Sequence, residues 1–153
     1  MQVPRNGNCL SAALRKFFEI KNQKFPRDSF YPNRYMKRYL TSLLVKWRKQ
    51  VLDRFRLFLK SEYCGGTDAG PFTYRQYVSY MNENYSHGDI CCLFALAMET
   101  HIKIMIVLHP TLVLIPVTHF YSLDDADIVL VLANDHWTPA GEYSVQLFGL
   151  KSL

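Results

Sequence analysis

Leu10, Ala13, Leu14, Phe17 and Phe18 recur every three or four residues, which predicts an amphipathic helix reaching Ile20. Asn6-Gly7-Asn8 just ahead of it is a turn tripeptide, because Gly and Asn tolerate positive φ. Pro26 and Pro32 bracket a loop, and residues 35–60 read as one long helix. Its apolar face carries Tyr39, Leu43, Trp47, Val51, Phe55 and Phe58 or Leu59, with basic residues opposite. Residues 64–71, CGGTDAGP, form a loop, 74–84 a short helix, and His87-Gly88-Asp89 the start of another. Residues 90–99 are apolar nearly all round, so that helix is expected inside the core, with Asp89 complementing its N-terminal dipole.

After His101 the period changes. Ile102, Ile104 and Ile106 alternate, as do Leu112, Leu114 and their neighbours up to Val117, and 128–132 and 143–148 are further short runs. Helices first and strands second predict an α+β domain, with N-terminal helices packed on a mostly antiparallel sheet of about five strands. No repeat or linker interrupts residues 1–153, so a single domain is expected.

The composition, 49% apolar and 20% charged, excludes a disordered or low-complexity chain. The net charge of +5 is uneven: residues 34–60 hold nine Lys/Arg against one Asp. The aromatics of that block share the face of the leucines, so its cations read as a solvated helix face rather than a nucleic-acid surface; a phosphate or partner surface is the alternative. The longest apolar stretch, 102–118, is broken by Lys103, His109, Pro110 and Pro116, so no membrane association is expected. Cys9, Cys64, Cys91 and Cys92 are read as thiols in a reducing, cytoplasmic compartment, with vicinal Cys91 and Cys92 serving as packing. Cys64, His87 and Cys91 lack metal-ligand spacing, and neither a metal nor a cofactor is expected.

Two positions combine a reactive side chain with distinctive local backbone. Cys9 heads a helix, where the dipole and free N–H groups stabilise a thiolate and lower its pKa, and where the same N–H groups receive an oxyanion. His136 follows a strand and is flanked by Asp135 and Trp137, a placement that suits a general base facing a cleft. Together they would form a cysteine hydrolase; apart, Cys9 is an inert buried thiol and His136 a strand-end surface residue.

Arg5-Asn6-Gly7-Asn8-Cys9-Leu10 resembles the D-G-N-C-L-F segment of the ovarian-tumour (OTU) family of cysteine proteases, where the Cys is the nucleophile. Ser86-His87-Gly88-Asp89-Ile90 through Leu93, Ala95-Leu96-Ala97 and Ile102-Ile104-Ile106 is similar to the family's W-G-x-x-x-E-L-x-A-L-A block and the strand after it. Ile128-Val129-Leu130 followed by His136-Trp137 resembles its I-x-L and H-Y-N/D ending. The blocks keep the family's order. Three positions depart from it: Asn6 stands for the family's Asp, His87 for its Trp, and Thr138 for the Asp or Asn that orients the imidazole. A Thr hydroxyl accepts an imidazole N–H but cannot stabilise imidazolium as a carboxylate does. On an extended strand 134, 136 and 138 share a face, which favours Asn134 or Thr138 over Asp135 as orienter.

The resemblance implies an OTU-like, papain-like fold and a metal-free, monomeric deubiquitinase that hydrolyses the (iso)peptide bond after the terminal Gly-Gly of ubiquitin or a ubiquitin-like modifier. Cys9 would form the thioester, His136 would shuttle the proton, and the N–H groups of Asn6, Gly7 and Asn8 would hold the oxyanion. Trp137 would wall the channel that admits only Gly, and Asp124, Asp125 and Asp127 would meet the arginines of the modifier's tail. A viral or effector origin, acting in the host cytosol, fits that reading. A non-catalytic OTU-like module binding ubiquitin or another partner protein is the alternative that the Asn6 and Thr138 departures motivate.

Overall fold

Among the described residues five helices precede four strands, the order that the change of period at His101 predicts. The computed structural model describes residues 9–20, 32–63, 73–83, 88–120, 122–134 and 136–139. The helices are α1 (Cys9–Ile20), α2 (Pro32–Lys46), α3 (Arg48–Tyr63), α4 (Tyr74–Met81) and α5 (Ile90–Thr100). The strands are β1 (Ile104–Leu108), β2 (Val113–Pro116), β3 (Ile128–Ala133) and β4 (His136–Pro139), with a 3-10 turn at Leu123–Asp125. The 64–71 loop, His87, Asp135 and the expected strand at 143–148 lie outside the described residues.

The long helix expected over 35–60 is two helices that meet at Trp47. The N–H of Trp47 still donates to Leu43 O (2.8 Å) and that of Val51 to Trp47 O (3.0 Å), so the helical phase runs through the break. A periodic pattern records phase and not axis direction, which is why the sequence shows one helix here. At the junction the Trp47 indole N–H and the Lys46 ammonium both donate to Glu99 on α5.

Local chemistry fixes where α4 and α5 begin, and α4 ends at Met81, short of the 84 expected. Thr73 and Gln76 form a capping box at the start of α4. Asp89 caps α5, accepting from the N–H groups of Cys91 and Cys92 and from the Tyr77 hydroxyl. Residues 91–97 of α5 are all buried, as an all-round apolar helix requires, and α2 and α3 pack against it. α1 buries Cys9, Leu10, Ala13 and Leu14 against α2 and β4.

The sheet order is β2-β1-β3-β4. Two of its three ladders are antiparallel, as expected, but the central pair, β1 with β3, is parallel. Pairing sets the two faces. Ile104 opposes Ile128, Ile106 opposes Leu130, and Leu132 opposes Trp137, so these residues share the face that joins the helical core. Met105, Val107 and Val131 are buried on the other face, where Val131 opposes Thr138 and Ala133 opposes His136.

Candidate active site

A turn at Asn134 follows β3, and His136 opens β4. Asn134, at φ 50°, occupies the left-handed conformation in that turn. The shared face expected for 134, 136 and 138 therefore holds for His136 and Thr138 only, because β4 begins at His136 and leaves Asn134 off the strand. No hydrogen bond among the described residues joins either Asn134 or Thr138 to the imidazole, whose Nδ1 is buried.

Cys9 is the first residue of α1, and its Sγ accepts the main-chain N–H of Trp137 at 3.4 Å. Backbone bond lengths then place Sγ within about 6 Å of the His136 Cα. The structure thus brings together the two reactive residues separated by most of the chain. Cys9 takes up the N–H on the side of β4 turned away from β3, between the helical face and the face that carries His136 and Thr138.

Trp137 points to the other side of β4. Its ring belongs to the helical core, 3% exposed, and its indole N–H donates to Gly88 O at 3.2 Å. Gly88 in turn touches the residue after the cysteine: a Cβ built at 88 would lie 2.4 Å from Leu10 Cδ2 and 2.9 Å from Leu10 Cβ. Only glycine allows this approach. Trp137 is therefore packed between β4 and the head of α5, not set along an open channel.

Burial pushes the Cys9 thiol above its ordinary value. Hydrogen bonds from the N–H groups of Trp137, Leu10 and Cys9 itself oppose that, as does the charge of Lys37. The lowered pKa expected from the helix terminus is thus overturned. The N-terminal N–H groups do favour the thiolate, but Cys9 is 1% exposed and desolvation outweighs them.

The acidic residues are not part of this cluster. Asp127 precedes β3, roughly 16 Å along the strand from the Leu132–Trp137 pair. Its carboxylate accepts the Lys103 N–H at 2.9 Å and so helps start the β1–β3 ladder. Asp124 and Asp125 are exposed on the 3-10 turn, which Ser122 caps. Asn6, Gly7 and Asn8 lie outside the described residues. Cys91 and Cys92 are buried free thiols, as expected of packing residues. No group of three or more potential metal ligands occurs among the described residues.

Two residues near the site escaped the sequence reading. Gly88 lies in a motif, but its approach to Leu10 comes from packing and has no local sequence signal. Lys37 belongs by pattern to the solvated basic face, yet it is 4% exposed. Its signal was present: 37 lies four residues before Thr41 and seven before Leu44, both buried, on the flank of the apolar stripe.

No protein-family model matches the chain, and no curated protein matches it. Solved structures do. The viral OTU domain protease from Dera Ghazi Khan virus superposes with a TM-score of 0.59 at 18% identity, over 91% of this chain and 77% of that one. The Hazara virus OTU, solved bound to ubiquitin, gives 0.57 at 16% identity, over 90% and 76%. The OTUD1 OTU domain gives 0.53 at 12% identity, over 91% and 82%. Matched over nine-tenths of its length, and with five helices ahead of a mixed four-stranded sheet among the described residues, this chain has the fold of the OTU domain proteases.

Proposed function

We propose that the chain is a single-domain cysteine hydrolase that cleaves the bond after the C-terminal Gly-Gly of ubiquitin or a ubiquitin-like protein. The observation that carries this reading is the Trp137 N–H···Sγ contact, which puts the head of α1 beside His136 on an OTU fold. The ubiquitin-bound Hazara virus OTU supports the choice of modifier.

In this mechanism the His136 imidazole takes the Cys9 proton, and the thiolate adds to the glycine carbonyl carbon. N–H groups of the Asn6–Cys9 segment, at the positive end of α1, receive the resulting oxyanion. The imidazolium then protonates the leaving lysine amine as the C–N bond breaks. Water, deprotonated by the same imidazole, opens the thioester and regenerates the thiol. Thr138, which shares the strand face of His136, would steer the ring. Asp124 and Asp125, at the far end of β3, would meet the body of a modifier rather than its reacting tail. A reducing compartment such as the host cytosol would keep Cys9 a thiol. No helix among the described residues is long and apolar enough to cross a membrane.

A second reading has an observation in its favour. Cys9 is 1% exposed and burial pushes its thiol pKa up, the direction expected of an idle cysteine in a non-catalytic binding module. Covalent capture by a ubiquitin probe with a C-terminal electrophile separates the two. An adduct formed by the wild type and lost in Cys9→Ala, with capture slowed in His136→Ala, is expected of the hydrolase. A folded wild type that captures neither ubiquitin nor ubiquitin-like probes overturns it in favour of the module.

A further inference from the structure

Among the residues whose side chains are described Lys37 is the one buried cation, while Arg38 and Lys46 on α2 and Arg48 and Lys49 on α3 are exposed. It lines a small cavity with Leu10 and Ser11, the two residues that follow Cys9, and with Gly88 and Cys92 from the head of α5. Lys37 therefore shares that cavity with the first turn of α1. Water screens a charge poorly in such a place, so a cation there acts over a longer range than one on the helix surface. A positive charge lowers the free energy of any negative charge formed at the head of α1, and Cys9 is the residue that forms one.

We propose that Lys37 is a positioning residue that stabilises the Cys9 thiolate from behind α1, through space rather than by touching substrate. The inference rests on the reading of Cys9 as the nucleophile, and the lysine charge offsets part of what burial costs its thiolate. The Lys37 charge is the side-chain influence on Cys9 that opposes desolvation, alongside the backbone N–H groups. The other titratable groups around the first turn of α1, among the described residues, are His136 on β4 and Asp89 and Cys92 at the start of α5. Asp89 is held by Tyr77 and by the N–H groups of α5.

The test follows the ionisation of Cys9 in the full chain through its 13Cβ shift, together with its alkylation by iodoacetamide mapped to the Cys9 peptide. Lys37→Met is expected to move the midpoint to higher pH and to slow alkylation at pH 7 by about threefold to tenfold. Lys37→Arg restores both, and Lys49→Met, on the exposed face, changes neither. A folded Lys37→Met protein with an unchanged midpoint overturns the proposal, because a merely structural lysine alters stability and not this titration. Should Lys37→Met fail to fold, the wild type decides. The Lys37 13Cε resonance then steps at the Cys9 midpoint and loses that step in Cys9→Ser; a flat resonance overturns the proposal. Neither readout needs ubiquitin, so a shifted midpoint with failed probe capture separates a lost hydrolase reading from a lost role for Lys37.

Discussion

The main-chain N–H of Trp137 donates to the Sγ of Cys9 across 128 positions of sequence, at 3.4 Å. This bond ties the head of α1 to β4 and makes the thiol a structural acceptor as well as a candidate nucleophile. Replacing Cys9 with Ala leaves a buried N–H without that acceptor, at a cost of about 1 kcal/mol. Ser supplies an oxygen in its place. Urea denaturation should therefore rank the proteins wild type, Cys9→Ser, Cys9→Ala in falling stability, and an Ala variant as stable as wild type would show the contact to be idle.

Gly88 holds the site together from the other side. A methyl group at 88 meets Leu10 at 2.4 to 3.2 Å on three of its carbons, including Cβ, so rotation of the leucine tip alone does not relieve it. Gly88→Ala should destabilise the protein by about 1–3 kcal/mol, the range for overpacking. Leu10→Ala removes the clash, so the double variant should be more stable than the sum of the single effects predicts. Strict additivity in a double-mutant cycle would show that Leu10 does not carry the strain.

The indole of Trp137 donates to Gly88 O at 3.2 Å from inside the core. Trp137→Phe deletes that donor and part of a packed ring, and a loss of about 2–3 kcal/mol is expected in chemical denaturation. The proposed hydrolysis should survive in the folded fraction, because the main-chain N–H of residue 137 remains.

Thr138 shares the strand face of His136, and a hydroxyl in the proposed orienting role would hold the ring without balancing its charge. Thr138→Val should therefore lower kcat/KM on a fluorogenic ubiquitin amide by about threefold to tenfold, well short of the loss seen when a carboxylate orienter is removed. A fall of several thousandfold would mean that Thr138 carries the imidazolium alone.

Burial holds the thiols of Cys91 and Cys92 and the phenol of Tyr74 well above their ordinary pKa values, with the nearby Asp89 carboxylate adding to the shift. These groups stay protonated in the folded chain at pH values where the unfolded chain ionises them. The unfolded state then binds fewer protons, so stability falls as pH rises. Each thiol should contribute a slope of about 1.4 kcal/mol per pH unit above roughly pH 9. Melting curves from pH 7 to 10.5 should show this alkaline loss, and Cys92→Ala should make it shallower. Equal slopes in the two proteins would exclude Cys92 as its source.

Local order was legible in the chain. The repeat of Leu10, Ala13 and Leu14 gave α1, the all-apolar run gave a buried α5, and the β-branched alternation after His101 gave the strands, because each signal is written within a few residues of where it acts. Asp89 read correctly as a helix-terminal carboxylate for the same reason. The break at Trp47 was invisible because the apolar phase runs straight through it.

Residue type and local backbone were enough to single out Cys9 and His136. Their meeting was decided by the parallel pairing of β1 with β3 and by the β3–β4 turn, which bring the last described strand against the first helix. The same packing took Asn134 off the strand, turned Trp137 into the core and sent Asp127 to the far end of β3. Burial decided the chemistry as well. The sequence put a thiol at the positive end of a helix, which favours the anion, but only tertiary packing withdrew the water around it and raised its pKa. Solvation depends on every neighbour at once, and no window of sequence contains them all.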